Sequence, residues 1–488
     1  MTFVLFVSFE GKNPFQSDDC TTGRQTGSQH RAYKIVMDVK GKKVTVIGLG
    51  KSGSSAAKWL ALQGAEVTVS DMKEAGELDP NLVAGLTRLG VKLETGGHRH
   101  DTFLLADIIV ISPGVPLDIA PLTDARREGI PILGELELAS RGIDIPILAV
   151  TGTNGKSTVT SLLGALIRSA GYETFVGGNI GTPLIDYVAD GRNADFAVVE
   201  VSSFQLDTAG TFSPHVALLL NITPDHLDRY PDYEAYERSK LSIFRNQGRG
   251  GFAILNDDDQ RLSGFNPAGP SVLRYGMERR ENRQAWIENK TLRARSLDGG
   301  EVSFDLKDFA LPGKHNLENL MGVVLAGMAL QIESHVIQDT IRSFRSLPHR
   351  MELAGRFRGV SFYDDSKATN VDASLRAVQS FENPIVLIAG GRHKGADYGP
   401  LVRGAKGRVR KAVLLGEAGS LIAGSFEGEI PFEFARDMKD AVARAFSAAG
   451  AGEVVLLAPA CSSFDMFTDY AHRGRIFKQA VEDLRGGS

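Results

Sequence analysis

The sequence predicts an α/β protein of three domains in series: a Rossmann-like N-terminal domain, a central P-loop ATPase-type α/β domain, and a Rossmann-like C-terminal domain. Two strand-like runs lead straight into glycine-rich turns, at 43–53 and 148–158, and each turn opens a helical pattern. A third series of apolar strands, separated by helical segments, follows residue 347, as in another doubly wound sheet. At 488 residues the chain has room for about three domains of ordinary size.

Composition narrows the function classes. A hydrophobic content of 42% with 23% charged residues describes a soluble globular protein with ample core. A net charge of −4 leaves no basic footprint for nucleic acid, and no apolar run is long enough to span a membrane. Two cysteines, Cys20 and Cys461, cannot make a disulfide framework and suit a reducing cytoplasm. The start, Met1-Thr2-Phe3-Val4-Leu5-Phe6-Val7, is apolar but lacks the basic region of a signal peptide, and 11–34 is polar without periodicity. Residues 1–36 therefore read as a disordered tail or an upstream mis-start, with Met37 just ahead of the first strand. The expected domain bounds are 37–140, 141–347 and 348–488.

The first domain opens with the β-branched run Lys43-Val44-Thr45-Val46-Ile47 and the turn Gly48-Leu49-Gly50-Lys51-Ser52-Gly53, which leads into a helix at Ser54. A second strand, 66–70, ends on Asp71. A G-x-G-x-x-G turn with an acid about twenty residues on is the textual form of a dinucleotide site, so spacing alone suggests NAD or FAD. Any diphosphate-sugar ligand could use the same helix N-terminus. A third strand, Ile108-Ile109-Val110-Ile111, runs into the rigid loop Ser112-Pro113-Gly114, placed where an open parallel sheet binds its ligand.

The second domain carries the most informative stretch, Leu148-Ala149-Val150-Thr151-Gly152-Thr153-Asn154-Gly155-Lys156-Ser157-Thr158. Glycines let backbone N–H groups approach phosphate oxygens, the helix start adds partial positive charge, and Lys156 reaches the outer phosphates. Ser157 or Thr158 can offer a hard oxygen to Mg²⁺. The loop departs from G-x-x-x-x-G-K-[ST], because Val150 stands where the first glycine belongs. The bland alternative is a strand-to-helix turn with an incidental lysine; ATP or a relative is the expected ligand. Apolar strands at 196–201 and 216–221 end in polar residues, Glu200 and Asn221. The polar segment 276–308 reads as a hairpin excursion, and a helix beginning near Asn316 closes the domain. The third domain has strands at 384–389, 411–415 and 454–458.

In order along the chain, Gly152–Thr158, Gly178-Asn179-Ile180-Gly181, Glu200-Val201-Ser202-Ser203, Asn221-Ile222-Thr223-Pro224-Asp225-His226 and Gly313-Lys314-His315-Asn316-Leu317-Glu318-Asn319 resemble the Mur ligases and folylpolyglutamate synthases. Leu347-Pro348-His349-Arg350, Asp365-Ser366-Lys367-Ala368-Thr369-Asn370, Gly390-Gly391-Arg392-His393-Lys394 and Pro459-Ala460-Cys461-Ser462-Ser463-Phe464 narrow the resemblance to the Mur ligases that add D-glutamate to UDP-N-acetylmuramoyl-L-alanine. It covers about 44–477.

The resemblance implies a cytoplasmic step of peptidoglycan synthesis, an amide bond made through an acyl phosphate at the expense of ATP. Its implied partners are UDP-N-acetylmuramoyl-L-alanine, D-glutamate and ATP, with Mg²⁺ as cofactor, and a monomer is expected. Phosphoryl transfer to a carboxylate gathers several negative charges, so cations and fixed dipoles must do most of the stabilising. Lys156 and Arg350 fit that need. Glu200, at a strand end, is placed to take Mg²⁺; its alternative is a helix cap or surface acid. His226 is expected on the metal side and Asn179 on the substrate side. Asn316 and Asn319, one helical turn apart, suit adenine edges, or a capping role instead. Asp365 is implied to hold the ribose.

Asp225, Lys367, Thr369, Lys394, Ser463 and Phe464 are expected around glutamate, the two lysines being ordinary solvated residues otherwise. Gly50, Lys51, Ser52, Asp71, Ser112, Pro113 and Gly114 are expected on the uridine diphosphate. Lys240, in a helical stretch at 233–244, reads from sequence as a solvated lysine; the resemblance implies a carbamylated one that serves the metal. The rivals are a folylpolyglutamate synthase-like ligase, which the 347–350 and 365–370 segments oppose, and an NAD-dependent oxidoreductase.

Overall fold

The computed structural model describes residues 37–486 apart from residue 192. The expectation for residues 1–36 thus lies outside the described residues. Helices alternate with three mainly parallel sheets, and no helix among the described residues is long and apolar enough to cross a membrane.

The N-terminal sheet has five parallel strands, in the spatial order Lys92–Glu94, Glu66–Ser70, Lys43–Ile47, Ile108–Ile111 and Ile132–Gly134. The strand expected to be third, Ile108–Ile111, is the fourth. The short Lys92–Glu94 edge strand precedes it and is too polar to announce itself by an apolar run. Ile47, Ile109 and Ile111 bury one face of this sheet against Phe103 and Leu122.

The second sheet has nine strands, ordered Glu301–Asp305, Thr291–Arg295, Ala285–Glu288, Ser271–Tyr275, Phe252–Asn256, Val216–Leu219, Ile147–Thr151, Phe196–Glu200 and Thr174–Gly178. The hairpin expected in 276–308 is a three-strand antiparallel meander that extends this sheet. By compactness the chain divides into one unit of residues up to 149 with 171–199 and 204–215, and a second of 150–170, 200–203 and 216 onward.

Within the second unit lies a six-stranded sheet, ordered Glu352–Phe357, Val360–Asp364, Val454–Leu457, Ile385–Gly390, Val409–Leu415 and Phe432–Phe434. The first two strands form an antiparallel hairpin, and the other pairings are parallel. Side chains alternate across a strand, so a strand buried on both faces reads as a continuous apolar run. Ile385, Leu387 and Ala389 enter one core with Leu401 and Ile422, while Val386 and Ile388 enter another with Val442, Phe477 and Val481. Both faces are covered, as doubly wound packing requires.

Candidate active site

The buried strand Ile147–Thr151 delivers the glycine-rich loop to the start of the Lys156–Ser169 helix. Gly155, the residue before that helix, has φ +86°, a left-handed backbone that favours glycine. A Cβ there would also lie 2.4 Å from Asn319 Oδ1. Asn221 cradles the loop from the end of the neighbouring strand. Its Oδ1 accepts the Asn154 amide (2.9 Å), its Nδ2 donates to the Asn154 carbonyl (3.1 Å), and its own carbonyl accepts the Thr153 amide (2.9 Å). Lys156 Nζ donates to the carbonyls of Gly152 (2.9 Å) and Thr153 (2.8 Å). Ser157 and Thr158 are buried on the first helical turn.

Lys240 corrects the reading of a solvated lysine. It sits on the Tyr233–Leu241 helix with 1% of its surface exposed, donates to the Gly152 carbonyl at 2.8 Å, and lies 4.6 Å from the centre of the Tyr236 ring. The sequence hid this because the helix carries charges on both of its faces.

Around this loop the second unit gathers cations. Burial lowers the Lys156 pKa, opposed by Glu200 and Asp225 and reinforced by Arg350 and Lys394. Lys367 is pushed down to about 8 by burial and then by Arg350; its Nζ stands 3.8 Å from the centre of the Tyr470 ring. Burial raises Asp365 to about 7 although Arg350 pulls the other way, and its Oδ1 accepts the Met351 amide. Lys156, Arg350, Lys367 and Lys394 thus cluster as positive charges close enough to influence one another's surroundings.

Asp225 joins the loop region to the C-terminal sheet. Its Oδ1 accepts from Lys394 Nζ at 3.2 Å and its Oδ2 from Asn370 Nδ2 at 3.0 Å. Burial pushes this carboxyl up, but Lys394 and the Asn370 hydrogen bond outweigh it and hold it at about 2. Beside it His226 has φ +56°, and burial drives its pKa down to about 4, so a ring nitrogen stays unprotonated at neutral pH. The Ser157 hydroxyl, the buried Glu200 carboxylate and this unprotonated imidazole are donors of a kind Mg²⁺ accepts, a hard cation served mainly by oxygen.

Asn154 Nδ2 donates to Asp372 Oδ2 at 2.7 Å, and its Oδ1 accepts from Asn370 Nδ2 at 3.2 Å. Arg376 reaches both Asp372 and Glu318. Asn221, Asn370 and Asp372 were absent from the sequence-based site, although the first two lie inside its motifs. Only their partners reveal them. Thr369, Asp225 and Lys394 line a cavity of about 440 Å³ with Leu227, Leu375 and Pro400. Asn221, Tyr233, His315, Glu318 and Arg376 line another of about 600 Å³. Asn316 donates to the Pro312 carbonyl (2.6 Å) and accepts from Asn319 (3.3 Å). Ser463 is buried, with its carbonyl accepting the Phe467 amide, and Phe464 is 63% exposed.

In the first unit Asp71 closes the Gly48–Gly53 turn. Its Oδ2 accepts the Leu49 amide (2.5 Å) and its Oδ1 the Lys73 amide (2.8 Å). Each oxygen thus holds one backbone amide of the turn. Ser112 Oγ donates to the Gly48 carbonyl (2.8 Å), beside Pro113 and Gly114. Lys51 Nζ donates to the Gly181 carbonyl (2.8 Å), which brings Gly50, Lys51 and Ser52 to the loop of Asn179.

Three family models match the chain in order: Mur ligase MurD-like, N-terminal domain at residues 42–134, Mur ligase middle domain at 150–327, and Mur ligase, glutamate ligase domain at 349–461. A UDP-N-acetylmuramoylalanine--D-glutamate ligase of Geotalea daltonii is 44% identical over 92% of this chain and 99% of its own length. One of Desulfosudis oleivorans is 44% identical over 92% and 98%. Among solved structures, a pseudomurein peptide ligase type C from Methanothermus fervidus superposes with a TM-score of 0.58 at 19% identity, covering 91% of this chain and 100% of that one. UDP-N-acetylmuramate-alanine ligase from Thermotoga maritima gives 0.56 at 20% identity, covering 92% and 100%. At such identities these structures speak for the fold, whereas the sequence relatives, matched nearly end to end, show that the chain belongs to the Mur ligase family.

Proposed function

We propose that the protein is an ATP-dependent, ADP-forming ligase that joins D-glutamate to UDP-N-acetylmuramoyl-L-alanine during peptidoglycan precursor synthesis. The observation that carries this reading is the crowd of cations around the phosphate loop, where Arg350 and Lys394 add to the burial that depresses Lys156 and Lys367. The activity itself is that named for the end-to-end relatives.

In the proposed reaction a carboxylate oxygen of the alanine attacks the γ-phosphorus of ATP, and the bond from that phosphorus to the β-bridging oxygen breaks. Amides of Gly152–Thr158 and Lys156 hold the phosphates, and Arg350 neutralises the charge that develops on the transferred group. Ser157, Glu200 and His226 would hold Mg²⁺, which would supply further charge neutralisation when bound. The neutral amine of D-glutamate then attacks the acyl carbon. The tetrahedral intermediate collapses to the amide, inorganic phosphate leaves, and the nitrogen's proton is released.

Thr369 and Lys394, which line the smaller cavity, take the glutamate carboxylates together with Lys367 and Ser463. The cavity's apolar wall of Leu227, Leu375 and Pro400 strengthens those charge contacts by excluding water. The larger cavity adjoins the helix of Asn316 and Asn319 and receives the nucleoside. Gly50, Lys51, Ser52, Ser112 and Asn179 face the uridine diphosphate. The protein acts as a monomer in the cytoplasm. The deciding experiment is phosphate release from ATP, assayed across D- and L-amino acids. Release should require both the UDP-muramoyl-alanine acceptor and D-glutamate, and release without either one would refute the reading.

A further inference from the structure

We propose that Arg473 is the positioning residue of the amino-acid pocket: from the first turn of the Tyr470–Gly486 helix, its guanidinium ties together the three loops that carry Lys367, Lys394 and Ser463. The inference rests on the assignment of those loops to glutamate.

Arg473 is 1% exposed. Its Nε donates to Ser366 Oγ (2.9 Å) and its Nη2 to the Ser366 carbonyl (2.8 Å). Its Nη1 faces the carbonyls of Cys461 (3.1 Å), Ser462 (3.3 Å) and Gly390 (3.5 Å). These acceptors follow or end three strands that are neighbours in the sheet, Val360–Asp364, Val454–Leu457 and Ile385–Gly390. One planar fork therefore sets the spacing of three strand ends. The partners in these bonds are four carbonyls and a hydroxyl, so the buried charge is spent on loop geometry rather than on an ion pair.

Two neighbouring features show how tightly the staple is fitted. A Cβ on Gly391 would meet the Ser462 carbonyl oxygen at 2.2 Å and Arg473 Nη1 at 3.1 Å, so the Lys394 loop approaches its neighbour as closely as glycine allows. From the same helical turn, the Tyr470 carbonyl accepts Ser366 Oγ (2.8 Å) while its ring lies under Lys367 Nζ. The turn thus fixes both the backbone beneath Lys367 and the ammonium itself. Burial lowers the Arg473 pKa only to about 10, leaving it charged at neutral pH. Lysine could not substitute, because a single ammonium cannot reach acceptors spread around a guanidinium plane.

The test compares wild type, Arg473→Ala, Arg473→Lys and Tyr470→Leu by steady-state kinetics and by amide hydrogen exchange over 390–396 and 459–463. Arg473→Ala should raise the KM for D-glutamate by about tenfold or more while the KM for ATP stays within about twofold. Added guanidinium should restore both glutamate affinity and exchange protection, whereas added ammonium should restore neither. Arg473→Lys should behave as Arg473→Ala without rescue. If Arg473→Ala does not fold, Tyr470→Leu still reads the same turn and should raise the KM for glutamate alone. Unchanged glutamate KM in the folded variants, or equal losses for ATP and glutamate, would overturn the proposal. Failure of the wild type to ligate D-glutamate would instead refute the functional reading, and exchange would then show whether the staple holds the loops.

Discussion

Lys156 and Lys240 donate to one and the same oxygen, the carbonyl of Gly152, from 2.9 and 2.8 Å. Two ammonium groups on a single acceptor repel each other, and burial penalises both charges. The neutral form of the Lys240 amine could add to CO₂, forming an N–C bond, releasing a proton and becoming a carboxylate-ended side chain. We expect Lys240→Ala to be nearly inactive and short carboxylic acids to restore part of its turnover. Labelling with ¹³C-bicarbonate should give a carbamate resonance that disappears in the variant; an unmodified Lys240 in active enzyme would count against the expectation.

Lys156→Ala should abolish amide formation and weaken nucleotide binding while leaving the fold intact, because the side chain bonds only loop carbonyls among the hydrogen bonds described for it. Nucleotide titration together with a melting curve checks both halves. Near-normal turnover would contradict the phosphate-loop assignment.

Gly155→Ala places a methyl group against Asn319 in a left-handed backbone. A loss of about 1–3 kcal/mol in stability is expected, together with weaker ATP binding, since the loop must shift away from Asn319. Denaturant unfolding with and without ATP measures each effect.

Glutamate binding should weaken above about pH 8. The Lys367 ammonium, depressed to about 8, is charged below that value and neutral above it, so its attraction for a carboxylate fades as pH rises. Lys367→Arg, charged throughout, should remove this step from the pH dependence of D-glutamate dissociation.

Lys394→Ala should raise the KM for glutamate far more than that for ATP, and Ser463→Ala should do so to a smaller degree. Because Lys394 pairs with Asp225, the first change also leaves a buried carboxylate short of its cation. The Asp225 pKa should then rise from about 2, which NMR titration of that carboxyl would detect.

The parallel strands were legible because burial on both faces leaves an uninterrupted apolar run, as in Ile108–Ile111 and Ile385–Gly390. Lys92–Glu94 and Phe432–Phe434 are short edge strands, and Glu352–Phe357 is exposed along part of its length, so none of them carries that signature. The phosphate loop could be read from local chemistry, since glycine, lysine and hydroxyls are adjacent in the chain. Asn154 with Asp372, or Arg473 with Gly390, could not, because those partners meet only after the strands have been ordered in their sheets. Lys240 misleads for a different reason: its helix looks amphiphilic on every side, and only the packing decides which face is inside.

The Asn154–Asp372 hydrogen bond carries a consequence that follows from reciprocity alone. Asn154 belongs to the loop proposed to hold nucleotide, and Asp372 to the helix that follows Asn370, itself bonded to Asp225. If bound nucleotide, acting through this contact, changes the affinity for the amino acid by some factor, the amino acid must change the affinity for nucleotide by that same factor. The sign and size of that mutual influence can be measured at equilibrium, with no turnover at all, by titrating each ligand in the presence of the other and repeating the square with Asp372→Asn.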